Sequence, residues 1–126
     1  MNKIKRVSTL KEAASMVDIL MPFTYRDGHV FARRWDARCE SRRAASNGQV
    51  YVVYSYGGHF PMYVYDEQVQ KWFGHTKKYS KTTSRHQAIC QPNENIQWVS
   101  LDEVIGIVDY RGVTNWLIHK ESRQAP

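Results

Sequence analysis

His59, His75 and His86 have the side chains best suited to moving protons, and all three fall within or beside the stretch from Gln49 to Gln87. Two imidazoles next to a cation can cleave RNA without a metal: one takes the proton of the attacking hydroxyl, the other protonates the leaving oxygen, and the cation stabilises the charged phosphorus centre. Arg85, beside His86, is the cation such a site would use. No local motif fixes the three histidines relative to one another, and a histidine next to a turn also has a plain structural use. Their spacing gives neither an i, i+4 pair nor a C-x-x-C element, so no metal site and no cofactor is expected.

The segment GHTKKYSKTTSRHQ, Gly74 to Gln87, carries a second kind of chemistry. Lys77, Lys78, Lys81 and Arg85 are cations, and Thr76, Ser80, Thr82, Thr83 and Ser84 are hydroxyl donors around the aromatic Tyr79. No Asp or Glu occurs from Gly74 to Pro92. Cations and hydroxyls without a competing carboxylate make an anion-binding loop, especially if Thr83 or Ser84 caps a short helix running to Cys90 and adds exposed amides. The alternative is a flexible basic loop with no fixed ligand. A second basic block, Tyr25 to Gly48, holds Arg26, Arg33, Arg34, Arg38, Arg42 and Arg43, the last five taken as the candidate contacts, near Phe31 and Trp35. Arginine forks suit phosphate and stack on bases; the competing reading is a solvated face whose arginine stems cover apolar surface.

These residues need elements to hold them. Val50 to Tyr56 and Phe60 to Tyr65 flank Gly57-Gly58 and read as a β-hairpin. Both faces of its first strand are largely apolar, which marks an interior strand covered on both sides. Pro61 fits only the start or edge of the second. Trp72 and Phe73 suit a third short strand, and His29 to Trp35 reads as a strand or, almost as well, a helix, after the turn at Asp27-Gly28. Thr9 with Glu12 is a capping-box pattern ahead of the apolar stripe Leu10, Ala13, Ala14, Val17, Leu20 and Met21, a helix that Pro22 ends. Ser100 with Glu103 repeats the pattern before Leu101, Val104, Ile105 and Val108, and Gly112 stops that helix. Ile96 to Val99 suits a short strand, while Val113 to Lys120 reads as a last strand or a helical turn.

The expected fold is a single α+β domain over residues 1–126: an antiparallel sheet built on the central hairpin, with the Thr9 and Leu101 helices packed on one face. At 126 residues with 42% hydrophobic content the chain can bury a core without a metal or a disulfide. Cys39 and Cys90 are accordingly read as free thiols. Eighteen Lys and Arg against twelve Asp and Glu give a net charge of +6, which favours nucleic acid, anionic membrane or an acidic protein patch as a partner and excludes mimicry of DNA. No stretch approaches the length of a membrane span and the start, MNKIKRVSTLKEAA, lacks an apolar run, so a cytoplasmic location is expected and a membrane partner is not.

The strings YSYGGHFPMYVYD and WFGHTKKYSKTTSRHQ resemble a pattern in small uncharacterised proteins of bacteriophages and related mobile elements, over about Val50 to Gln87. The resemblance implies a phage origin and a role inside an infected bacterium, and it brings no activity or catalytic residue. The combined expectation is a small basic protein that holds DNA or RNA through phosphate, using the Arg-rich block and the Gly74 to Gln87 segment. Two alternatives stand beside it. One is a host-takeover or anti-defence inhibitor of the anti-CRISPR or anti-restriction type that acts on a bacterial host protein by direct contact; the other is the metal-free ribonuclease.

Overall fold

In the computed structural model, which describes residues 4–36, 48–58, 60–78 and 80–124 (122–124 by their backbone alone), the Gln49–Ser55 strand lies in the middle of a seven-stranded sheet. The strands run side by side in chain order: β1 (Lys5–Val7), β2 (Phe23–Tyr25), β3 (Val30–Asp36), β4 (Gln49–Ser55), β5 (Pro61–Asp66), β6 (Lys71–Gly74) and β7 (Ile96–Trp98). Among the described residues there are four helices, α1 (Leu10–Asp18), α2 (Lys81–Ile89), α3 (Leu101–Asp109) and α4 (Val113–Gln124).

The pairs from β2 to β6 are antiparallel, but β1 pairs with β2 and β6 with β7 in parallel. A parallel pair needs a crossover, and α1 and α2 supply the two crossovers. The expected antiparallel sheet with two helices on one face is therefore corrected to a mixed sheet with helices on both faces. The physical cause is visible in β4. Tyr51 and Val53 enter one core with Ala13 and Val17 of α1 and with Cys90 at the end of α2. Val50, Val52 and Tyr54 enter the other with Val104, Ile107 and Val108 of α3, and Val113 and Trp116 of α4 pack against it. A strand that is apolar on both faces requires cover on both, so α1 and α3 cannot share a side.

Helix caps follow the sequence closely. Thr9 Oγ1 accepts from the Glu12 amide and Ser100 Oγ from the Glu103 amide, at 3.1 and 3.2 Å. Val113 begins a full helix rather than a strand. α4 docks on α3 because Gly106 leaves room: a Cβ there would lie 2.3 Å from the Trp116 ring. Glu103 then accepts from Trp116 Nε1 and Lys120 Nζ, and the Lys120 bond holds its carboxyl below the usual range. The buried Asp66 closes the same side, with Oδ1 accepting from the Gln68 amide and Oδ2 from the Val113 amide.

One end of the sheet places the chemistry. The β2–β3 turn passes through Arg26 (φ 48°), Asp27 (φ 53°) and Gly28 (φ 101°), and the β4–β5 turn through Tyr56 (φ 52°) and Gly57 (φ 95°). Because β3 and β4 are neighbours, the turns lie together, joined by the Tyr56 amide donating to the His29 carbonyl at 2.9 Å. Left-handed backbone costs a non-glycine residue about 1 kcal/mol or more. Three such residues at one corner is a concentration of strain of the kind that accompanies ligand sites.

Candidate nucleic-acid interface

α2 is a helix whose buried face is polar. Ser80, not Thr83 or Ser84, is its N-cap, with Oγ accepting from the Thr83 amide at 3.1 Å. Thr83, His86, Gln87 and Cys90 then turn inward at helical spacing, while Lys81, Thr82 and Arg85 point out. Apart from Gln87 Oε1, which is buried without a hydrogen-bond partner among the described residues, the inward polar groups are paired: Ser80 Oγ donates to Thr83 Oγ1, His86 Nδ1 is bonded to Ser55 Oγ at 2.9 Å, and Gln87 Nε2 donates to the His75 and Lys77 carbonyls. Tyr63 Oη donates to the Gln87 carbonyl at 2.6 Å. These bonds, rather than a greasy stripe, fix α2 against the ends of β4 and β5.

Between the first turn of α2 and the two strained turns lies a cavity of about 370 Å³, lined by Leu10, Tyr25, Arg26, His29, Tyr56, Lys81, Thr82, Arg85 and His86. Among the described residues no carboxylate lines it. Arg26, Lys81 and Arg85 are exposed and form no ion pair among the described residues. The Ser80 hydroxyl and carbonyl take the amides of Thr83 and Ser84, so those of Lys81 and Thr82 remain as the free N–H groups of the first turn. Tyr56 stands at the mouth, 50% exposed, with its ring centroid 4.9 Å from His29 and 5.5 Å from His86. An exposed ring beside cations is a surface on which a base can stack.

His86 has its pKa lowered, first by burial and then by the charges of His29 and Arg85. The ring is therefore neutral at neutral pH. Ser55 is 1% exposed, so its hydroxyl is no nucleophile for an external substrate, and its effect is to hold the His86 ring. The other ring nitrogen, Nε2, has no hydrogen-bond partner among the described residues.

Other expected site residues lie elsewhere. His75 is buried with both nitrogens engaged: Nε2–H donates to the Pro61 carbonyl at 2.9 Å and Nδ1 accepts from the Lys77 amide at 3.2 Å. Burial lowers its pKa as well. It is a strut, not an acid or a base. Lys78 lines a second cavity, of about 300 Å³, with His75, Thr76, Gln87 and Trp98, so α2 separates it from Lys81 and Arg85. Lys77 is exposed on the approach to the helix, Thr83 is buried under the cap, and Ser84 is half-buried.

Arg33 and Arg34 do not join the cavity. They leave β3 on opposite faces, Arg34 donating to Glu67 Oε1 and the Leu20 carbonyl, both at 3.0 Å, and Arg33 lying 5.6 Å from the centre of the Phe31 ring. Arg38, Arg42, Arg43, His59 and Tyr79 lie outside the described residues.

The site thus unites Lys81, Arg85 and His86 with Arg26, His29, Ser55 and Tyr56, which the sequence reading did not select. The available signal was their adjacency to Asp27-Gly28 and Gly57-Gly58. Once β3 and β4 pair, residues flanking those two turns must meet. No family model, no curated protein and no solved structure matches this chain.

Proposed function

We propose that this protein binds nucleic acid through phosphate at the cavity between α2 and the β2–β3 and β4–β5 turns. The observation that carries the reading is the convergence of Arg26, Lys81 and Arg85, all without a described ion-pair partner, on a lining that contains no carboxylate among the described residues. The free amides of Lys81 and Thr82 add donors, and the half-exposed Tyr56 offers a face to an adjacent base. The net charge of +6 brings a polyanion to the surface, and the three cations of the cavity give its successive phosphates fixed places on it. The implied phage or mobile-element origin would put the ligand inside an infected bacterium.

Fluorescence anisotropy with labelled single- and double-stranded RNA and DNA over a salt series tests this. Three phosphate contacts predict a single-strand affinity whose log–log slope against salt is about −2, from roughly 0.7 per contact. Absence of binding to all four nucleic acids at low salt would overturn the reading and turn attention to a host protein as the partner.

A further inference from the structure

We infer that the same cavity cleaves RNA without a metal, with His86 as the general base and His29 as the general acid. The inference rests on the nucleic-acid reading and goes beyond it. His86 is the buried member of the pair, 4% exposed, its ring held by Ser55 at 2.9 Å through Nδ1, so that Nε2 is the nitrogen left for a substrate. His29 enters from the β2–β3 turn, on the other strand pair, and both imidazoles contact the Tyr56 ring. The pair the sequence suggested, drawn from His59, His75 and His86, changes accordingly: His75 spends both nitrogens on the scaffold.

The groups facing His86 favour this division of labour. From the β2–β3 turn come Arg26 and His29, from the end of β2 Tyr25, from the β4–β5 turn Tyr56, and from α2 Lys81 and Arg85; α1 contributes only the apolar Leu10. A proton on His29 and the charge of Arg85 both disfavour a proton on His86, beyond the effect of burial.

In the step, His86 donates Nδ1–H to Ser55 Oγ and takes the ribose 2′-hydroxyl proton on Nε2. The 2′-oxygen forms a bond to phosphorus as the bond from phosphorus to the 5′-oxygen breaks. His29 gives its proton to that departing oxygen. The products are a 2′,3′-cyclic phosphate and a 5′-hydroxyl, and the pair ends with its proton transferred from His29 to His86. Arg26, Lys81 and Arg85 stabilise the negative charge that accumulates on the phosphoryl oxygens. DNA, lacking the 2′-hydroxyl, binds and is not cut.

The test incubates the protein, in EDTA, with a fluorescein-labelled RNA oligonucleotide and its 2′-deoxy counterpart, following binding by anisotropy and products by mass. The expected result is RNA fragments ending in 2′,3′-cyclic phosphate, an intact deoxy strand, and a bell-shaped pH–rate profile. His29→Asn and His86→Asn should each slow cleavage about 100-fold or more while deoxy-strand affinity changes by less than about threefold. His29 lies in a turn, so its variant carries the test if the variant at the buried His86 fails to fold. Ser55→Ala should displace the acidic limb of the profile, which loss of packing alone would not do. RNA that binds and stays intact, or cleavage that persists in both histidine variants, overturns the nuclease and leaves phosphate binding standing. No binding of either strand overturns both.

Discussion

Arg34 and Arg85 carry the same guanidinium, yet Arg34 leaves the middle of β3 and donates to Glu67 and the Leu20 carbonyl, whereas Arg85 leaves α2 for solvent with no ion-pair partner among the described residues. His75 and His86 divide in the same way. One has both nitrogens bonded to backbone; the other lines the cavity and has no hydrogen-bond partner at Nε2 among the described residues. Residue type does not separate these pairs. What does is place in the fold: Arg34 and His75 lie where backbone groups and the Glu67 carboxylate reach them, while Arg85 and His86 lie on α2 beside the cavity.

The largest expected effect lies on the scaffold side. His75→Ala removes one buried and one part-buried hydrogen bond and leaves a void, and should destabilise the fold by about 3 kcal/mol in chemical denaturation, with oligonucleotide Kd unchanged for the folded fraction. A variant of wild-type stability that loses binding would reverse the roles assigned to the two histidines. Next comes Arg34→Ala. Its bonds are about three-quarters shielded from solvent, with 27% of the side chain exposed, so screening discounts the ion pair, and the expected loss is about 1 kcal/mol, a fall in Tm of roughly 3 °C, again without effect on binding.

Smaller still is the effect of pH. The folded-state pKa values of His75 and His86 lie below the ordinary value of 6.5 because burial disfavours the charged ring. The unfolded chain then binds more protons than the folded one below about pH 6.5, so stability is full above that value and declines as pH falls. Tm should drop between pH 7 and pH 5, a window above the ordinary carboxylate range, and His75→Gln should shallow the drop. A flat profile over that window would contradict the burial of both rings.

The contrast also explains how much could be read from the sequence. The α1 and α3 caps, the central hairpin, the Asp27-Gly28 turn and Pro61 at the head of β5 were legible, because each depends on a local rule of capping, alternation or left-handed backbone. Ile96–Trp98 was legible as a strand, but β1 and the parallel pairing of both edges were not. Val7 is the one buried residue of β1 and Ile96–Trp98 has none, so neither strand shows an alternating pattern. α2 was read only conditionally, since its inward face is Thr83, His86 and Gln87 and its stability comes from hydrogen bonds to residues distant in the chain. The apolar character of β4 on both faces did announce a second helical layer, although the expected architecture placed both helices on one side. For the site, Lys81, Arg85 and His86 were named in advance; Arg26, His29 and Tyr56 depend on the β3–β4 register, which joins positions far apart in sequence.

The most direct test of the central claim compares two double variants, Lys81→Ala/Arg85→Ala and Arg33→Ala/Arg34→Ala, in binding single-stranded RNA across a salt series. Both lose two positive charges, so any difference between them reports place rather than net charge. If α2 presents the phosphate-binding cations, the first variant should lose affinity by roughly tenfold or more and its salt slope should fall by about 1.4, at unchanged Tm, while the second should keep the wild-type slope. Equal losses in the two variants would show that binding follows overall charge, and would contradict the assignment of the cavity.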